Sequence, residues 1–126
     1  LPGDYRRLAG PRVWIVPNVP ELGWLVGRAP PRSVEEVKVL AASLLADGFG
    51  AVVVKGGHLA GAPVDVLMLR DKVVVFRGTR LVRPAHRRGT GCRFASTLAT
   101  RLALGDDGET AVRAARSAVR RYLRGR

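Results

Sequence analysis

The residues best suited to chemistry stand at Gly89-Thr90-Gly91-Cys92, where two glycines and a thiol lead into an apolar run of helical period. Glycine lets the backbone turn tightly with its amides exposed, and the first turn of a helix adds N–H groups without intrahelical acceptors at the positive end of the dipole. Such a string can hold an anion, and glycines before a helix also occur as a plain tight loop. Cys92, the only cysteine, can serve as a thiolate where the helix dipole favours the charged form, or as a small buried hydrophobe. A second cluster, Lys55-Gly56-Gly57-His58, follows an apolar run, at the end where parallel sheets bind ligands. Lys55 is either a ligand-facing cation or a strand-end lysine whose stem covers apolar surface. His58 and His86 lack a nearby third ligand and do not read as a metal pair.

Placing these residues requires strands and helices in alternation. Val13-Trp14-Ile15-Val16, stopped by Pro17, reads as a buried, central strand of a parallel sheet. Ser33-Val34-Glu35-Glu36 is a capping box, and Val34, Val37, Leu40, Ala41, Leu44 and Leu45 continue at helical spacing to Gly48. Ala51-Val52-Val53-Val54 is a second buried strand, so strand, helix and strand predict a right-handed parallel crossover. Val64 to Leu69 and Val73 to Phe76 flank the polar turn Arg70-Asp71-Lys72 and predict an antiparallel hairpin. A long helix begins near Gly91, with Phe94, Ala95, Leu98, Ala99 and Leu102 on one side and Gly105 as its stop. Asp106 and Glu109 are then a capping pair for a last helix with the apolar face Ala111, Val112, Ala115, Ala118, Val119 and Tyr122. Its arginines fall mostly on other faces and read as a solvated basic surface.

A chain of 126 residues, 47% of them hydrophobic, is enough for one core, so residues 1–126 are expected to form a single α/β domain. One cysteine excludes an intramolecular disulfide and a cysteine-rich zinc site, and a reducing cytosol fits best. No apolar stretch approaches the length of a membrane span and no signal pattern opens the chain, so a soluble, cytoplasmic protein is expected. The chain starts on Leu1 without an initiator Met, which suggests that something upstream was removed or omitted. A net charge of +12 would draw any polyanion. Yet the arginines are spread over several segments, Lys38, Lys55 and Lys72 are the only lysines, and few aromatics interleave, which argues against a base-stacking nucleic-acid platform.

Three segments in order resemble one family. Pro17-Asn18-Val19-Pro20-Glu21 looks like the Pro-Asn-x-x-Glu segment of ribokinase-like kinases. Val54-Lys55-Gly56-Gly57-His58 and Gly89-Thr90-Gly91-Cys92 resemble the Lys-Gly-Gly-His and Gly-Thr-Gly-Cys stretches of hydroxymethylpyrimidine and phosphomethylpyrimidine kinases of thiamine biosynthesis. The resemblance runs from Val13 to Tyr122 and implies the C-terminal half of a three-layer α/β/α fold, with a mixed, mostly parallel sheet and an antiparallel hairpin. It also implies a phosphoryl transfer from ATP, with magnesium, to the hydroxymethyl group of a hydroxymethylpyrimidine or its phosphate. By the same resemblance Asn18 and Glu21 organise Mg2+ and its waters. Lys55, Gly56 and Gly57 lie beside the nucleotide, Gly89, Thr90 and Gly91 form the anion hole for the transferred phosphoryl group, and Cys92 stands where a catalytic base is carried. Asn18 and Glu21 also fit a plain helix cap.

Two positions depart from the pattern. Arg88 stands where many of these kinases have His, and Arg93 where a small or hydroxyl residue is usual; these cations either strengthen phosphate binding or, at Arg93, crowd the first helical turn. Arg77 and Arg80 are further phosphate candidates on a loop that also reads as solvated. The family's N-terminal half, with most of the acceptor pocket, has no counterpart in the sequence, so Val13 to Val16 and Ala51 to Val54 are expected to leave a sheet edge that invites self-association or a partner. A kinase part, a non-catalytic ligand-binding or regulatory module with the same fold, and a basic nucleic-acid-binding domain are the readings left open.

Overall fold

Asn18 starts the first helix in a way its sequence context dictates. Its side-chain oxygen accepts from the Glu21 N–H at 2.8 Å, Glu21 Oε1 accepts from the Asn18 N–H at 2.8 Å, and Pro20 sits in the first turn, where its missing N–H costs nothing. This capping box opens α1 (Val19–Val26), which Gly27 ends in the left-handed conformation at φ 70°. In the computed structural model, which describes residues 2–57, 59, 63–78 and 89–125, a 3-10 helix (Pro2–Leu8) and the short strand β1 (Trp14–Ile15) precede α1. Then follow α2 (Val34–Ala46), β2 (Ala51–Lys55), β3 (Val64–Met68), β4 (Val73–Arg77), α3 (Thr90–Ala103) and α4 (Gly108–Leu123). We expect Asn18→Ala to cost about 1 kcal/mol, measured as a lower urea midpoint, because the Glu21 N–H in the first turn loses its side-chain acceptor.

The chain divides into two compact units, Leu1–Arg80 and Leu81–Arg126. In the first, the strands form one sheet in the order β1-β2-β3-β4. β1 runs parallel to β2, as the crossover pattern predicts; β2–β3 and β3–β4 are antiparallel, in agreement with the hairpin expected around Arg70 to Lys72. The sheet is therefore mixed, but among the described residues antiparallel pairings outnumber the parallel one. The link from Lys55 to Val64 is shorter than the dozen or more residues a parallel crossover needs, so β3 must turn back on β2.

β1 is an edge strand rather than the expected central one, and Trp14 and Ile15 are only partly buried. Pro17, with no N–H to give, suits that edge while its carbonyl still accepts from the Lys55 N–H at 2.9 Å. Ala51 to Val54 are not an edge at all: they are buried between β1 and β3. Of the two segments expected at an edge only β1 lies there, and β4 is the other edge of the sheet. Beside β1 Tyr5 stacks edge-on against Trp24 with ring centroids 5.6 Å apart.

Alternation along the strands divides the apolar side chains between two faces. Val52, Val54, Val64, Val66 and Met68 pack with Val19 and Leu22 of α1 and Val37, Leu40, Ala41 and Leu44 of α2 in one core. Ser33 caps α2 through the Glu36 N–H, but the Glu36 carboxylate accepts from the Arg32 N–H at 2.6 Å, so the expected box closes one residue early.

The second unit is a helical hairpin. Phe94 and Leu98 of α3 and Ala111, Val112 and Ala115 of α4 are buried, whereas Ala95 is exposed and the apolar stripe of α3 is narrower than its sequence suggests. Gly105, at φ 98°, makes the turn that only glycine enters freely. The cap of α4 is Asp107, which accepts from the Thr110 N–H at 2.8 Å, and not Asp106, whose carboxylate is held by Arg101 Nε at 2.6 Å. Glu109 pairs with Arg113 one turn on. Of the α4 arginines, Arg113, Arg121 and Arg124 are exposed and Arg116 and Arg120 partly buried. Among the described residues no helix is long and apolar enough to cross a membrane.

Candidate functional site

In the first unit the sequence-predicted residues meet where β1 and β2 end. Asn18 pairs with Lys55 as an isolated parallel bridge, which brings the start of α1 beside the Lys55-Gly56-Gly57 segment. Both capping oxygens there are hard donors, and a carboxylate oxygen retains acceptor capacity after one N–H bond. Asn18 and Glu21 thus are a helix cap, and their chemistry also fits water-mediated contact with magnesium, which keeps much of its hydration. Among the described residues no group of three or more His, Cys, Asp and Glu side chains is assembled for a metal ion.

Lys55 is not a loose surface lysine. Its ammonium lies 3.2 Å from Asp65 Oδ2, and the other oxygen, Asp65 Oδ1, accepts from the Gly56 N–H at 3.1 Å. Asp65 is 6% exposed and the sole buried charged side chain among the described residues. Sequence reading passed over it because it interrupts an apolar strand only once. That interruption was the signal, since a carboxylate inside a buried run requires a partner. Gly56 is needed by close approach: a Cβ there would overlap the Val64 carbonyl oxygen and stand 2.9 Å from its carbon. Gly57 is exposed, with nothing near an added Cβ.

In the second unit α3 begins on Gly89, at φ 83°, with no side-chain cap. The helices α1, α2 and α4 are all capped by an Asn, Ser or Asp side chain. At α3 the carbonyl of Gly89 accepts the first helical bond, from the Arg93 N–H at 2.9 Å, leaving the amides of Thr90, Gly91 and Cys92 in the uncapped first turn. Cys92 is exposed, so it is not the small buried hydrophobe of the alternative reading. The Arg93 guanidinium lies over the Tyr122 ring, 4.0 Å from its centroid, which draws this cation along the flank of the helix toward α4. Gly89, Cys92, Arg93, Ser96, Thr97 and Tyr122 line an open recess of about 390 Å³ beside the helix start. Arg77 ends β4 on an exposed position. Arg88, His58, Arg80 and His86 lie outside the described residues.

Comparison with known proteins agrees with the motifs. The phosphomethylpyrimidine kinase family matches residues 5–126. A hydroxymethylpyrimidine/phosphomethylpyrimidine kinase of Streptomyces coelicolor is 39% identical over 82% of this chain, which spans 38% of that enzyme. The thiamine biosynthesis multifunctional protein ThiED of Corynebacterium glutamicum is 37% identical over 85% of this chain, which spans 14% of it. Among solved structures, an ADP complex of Bacillus subtilis pyridoxal kinase superposes at a TM-score of 0.81 with 28% identity, covering 92% of this chain and 46% of the kinase. The ribokinase-like α/β fold is thereby established, and the coverage agrees with the expected half of a kinase. From its motifs, its fold and a family match over nearly its full length, this chain belongs to the phosphomethylpyrimidine kinase family.

Proposed function

We propose that this chain carries the phosphate-handling part of a kinase that moves the γ-phosphoryl group of ATP to the hydroxymethyl group of a hydroxymethylpyrimidine or its phosphate. The observation that carries the reading is the start of α3: a left-handed glycine, no capping side chain, and an exposed thiol in the first turn. In the transfer, the acceptor oxygen bonds to the γ-phosphorus as the bond to the β,γ-bridging oxygen breaks, and the products are a phosphate ester and ADP. Negative charge on the moving phosphoryl group is met by the amides of the Gly89-Thr90-Gly91 turn and by the helix dipole, a preorganised electrostatic contribution of the kind that dominates phosphoryl transfer. Cys92 takes the acceptor's hydroxyl proton. Arg88 and Lys55 supply positive charge for phosphate oxygens, with Gly56 and Gly57 allowing close backbone approach. Asn18 and Glu21 would hold Mg2+ through its waters, and the ion would supply positive charge against the phosphates. A lone exposed thiol acting as a base suits a reducing, cytoplasmic compartment.

The test is calorimetric titration with Mg-ATP at moderate salt, with a non-nucleotide polyanion as control for the net charge of +12. Saturable binding that prefers ATP is expected. Gly91→Val is expected to weaken it about tenfold or more, because the branched side chain stands over the amides that face phosphate. An added Cβ at Gly91 meets nothing within 4 Å, and valine is no worse than glycine in a helix, so thermal stability is expected to hold. Equal affinity for ATP and polyanion, or an undiminished affinity in Gly91→Val, would remove the phosphate from this helix start.

A further inference from the structure

We infer that Asp65 is the positioning residue of the phosphate-facing end of the first unit, one carboxylate oxygen holding the Lys55 ammonium and the other the Gly56 amide. Lys55 and Asp65 are directly opposite in the antiparallel β2–β3 register and share the sheet face that points away from the core of Val52, Val54, Val64 and Val66. Apolar side chains fill the neighbouring positions, and an apolar pair here would serve stability at least as well, since buried ion pairs seldom outdo hydrophobic replacements. The pair therefore gains its sense from placement. Asp65 fixes the ammonium at 3.2 Å and the first glycine of the turn at 3.1 Å. On its other side the Lys55 backbone is tied to the Pro17 carbonyl and paired with Asn18. One carboxylate thus braces the junction of the Pro17–Glu21 and Lys55–Gly57 segments. Three donors on an ammonium make pairing with Asp65 compatible with an anion as a further ligand. The inference takes from the kinase reading only what Lys55 faces, not what holds it.

The three lysines provide the test. Lys38 and Lys55 have similar side-chain exposure, 33% and 27%, but the side chain of Glu35, the partner of Lys38, is 82% exposed while the side chain of Asp65 is 9% exposed. Acylation of the full chain by a small amine-reactive ester, followed by peptide mass spectrometry, is expected to label Lys55 about tenfold more slowly than Lys38, because the reagent needs an unpaired amine. In Asp65→Asn the Lys55 rate alone rises toward that of Lys38, and Asp65→Glu, which keeps the charge, holds it near the parent rate. A Lys55 to Lys38 ratio that stays put in Asp65→Asn overturns the inference, and so does a rise at all three lysines, the sign of general loosening. With Mg-ATP, Asp65→Asn is expected to bind about tenfold more weakly, the size of one charge-assisted contact displaced. Unchanged affinity with a freed Lys55 overturns the link to phosphate. A parent chain that does not bind Mg-ATP sinks the kinase reading, and the acylation ratio still decides what Asp65 does.

Discussion

Gly56→Ala is expected to lower the stability of the first unit by about 3 kcal/mol or more, while Gly57→Ala, one residue on, is expected to change it by less than about 0.5 kcal/mol. Neither glycine has a positive φ, so torsional preference does not separate them. The difference lies in what a methyl group meets. At Gly56 it overlaps the Val64 carbonyl, a backbone atom that cannot swing aside because β3 is paired on both edges, whereas at Gly57 it enters open space. To relieve the overlap β2 and β3 must part where Asp65 accepts the Gly56 N–H, so the buried carboxylate loses a donor as well. Urea unfolding of the two variants checks this; similar midpoints would mean that the close approach of Gly56 to Val64 is not a feature of the folded chain.

Cys92→Ala is expected to reduce turnover by about 10²–10⁴-fold, the usual contribution of a positioned base and the role proposed for Cys92, and to leave Mg-ATP affinity and stability nearly unchanged. The assay needs a protein that unites this chain with the remainder of a family kinase, since the chain spans well under half of its relative from Streptomyces coelicolor. Cys92 is exposed, so losing its sulfur opens no cavity and a fall in rate cannot be assigned to unfolding. The amides proposed to meet the phosphoryl group belong to the backbone and survive the change. A chain that kept only a ligand-binding role would show no effect of the substitution on any measured quantity. Retained turnover would move the base to another residue.

What was legible in the sequence was whatever local chemistry alone decides. Ser33 and the apolar positions that follow it specify α2, and the runs at Ala51, Val64 and Val73 specify strands, because capping and burial act within a few residues. The direction in which strands pair is not local. Apolar runs of β2 and β3 say that both are buried, and only the length of the link between them says that they are antiparallel. Helix α1 was legible only at its start: Asn18 and Glu21 have the spacing of a helix cap as well as that of a family motif, and both descriptions fit the capping box that forms. Asp106 and Asp107 compete as caps, and the choice falls to Arg101, a partner no local rule names. Within the candidate site the positions were legible and the partners were not, as Lys55 with Asp65 and Arg93 with Tyr122 show.

The division of the chain at Arg80 has a spectroscopic consequence. Both indoles, Trp14 and Trp24, belong to the first unit, and the second has none. Emission followed through a denaturant titration is therefore a stability probe for the part that carries Asn18, Lys55 and Gly56, while the helix that starts at Gly89 melts unseen by it. Circular dichroism reads both parts, and agreement of the two signals is what entitles a single free energy of unfolding to describe them together.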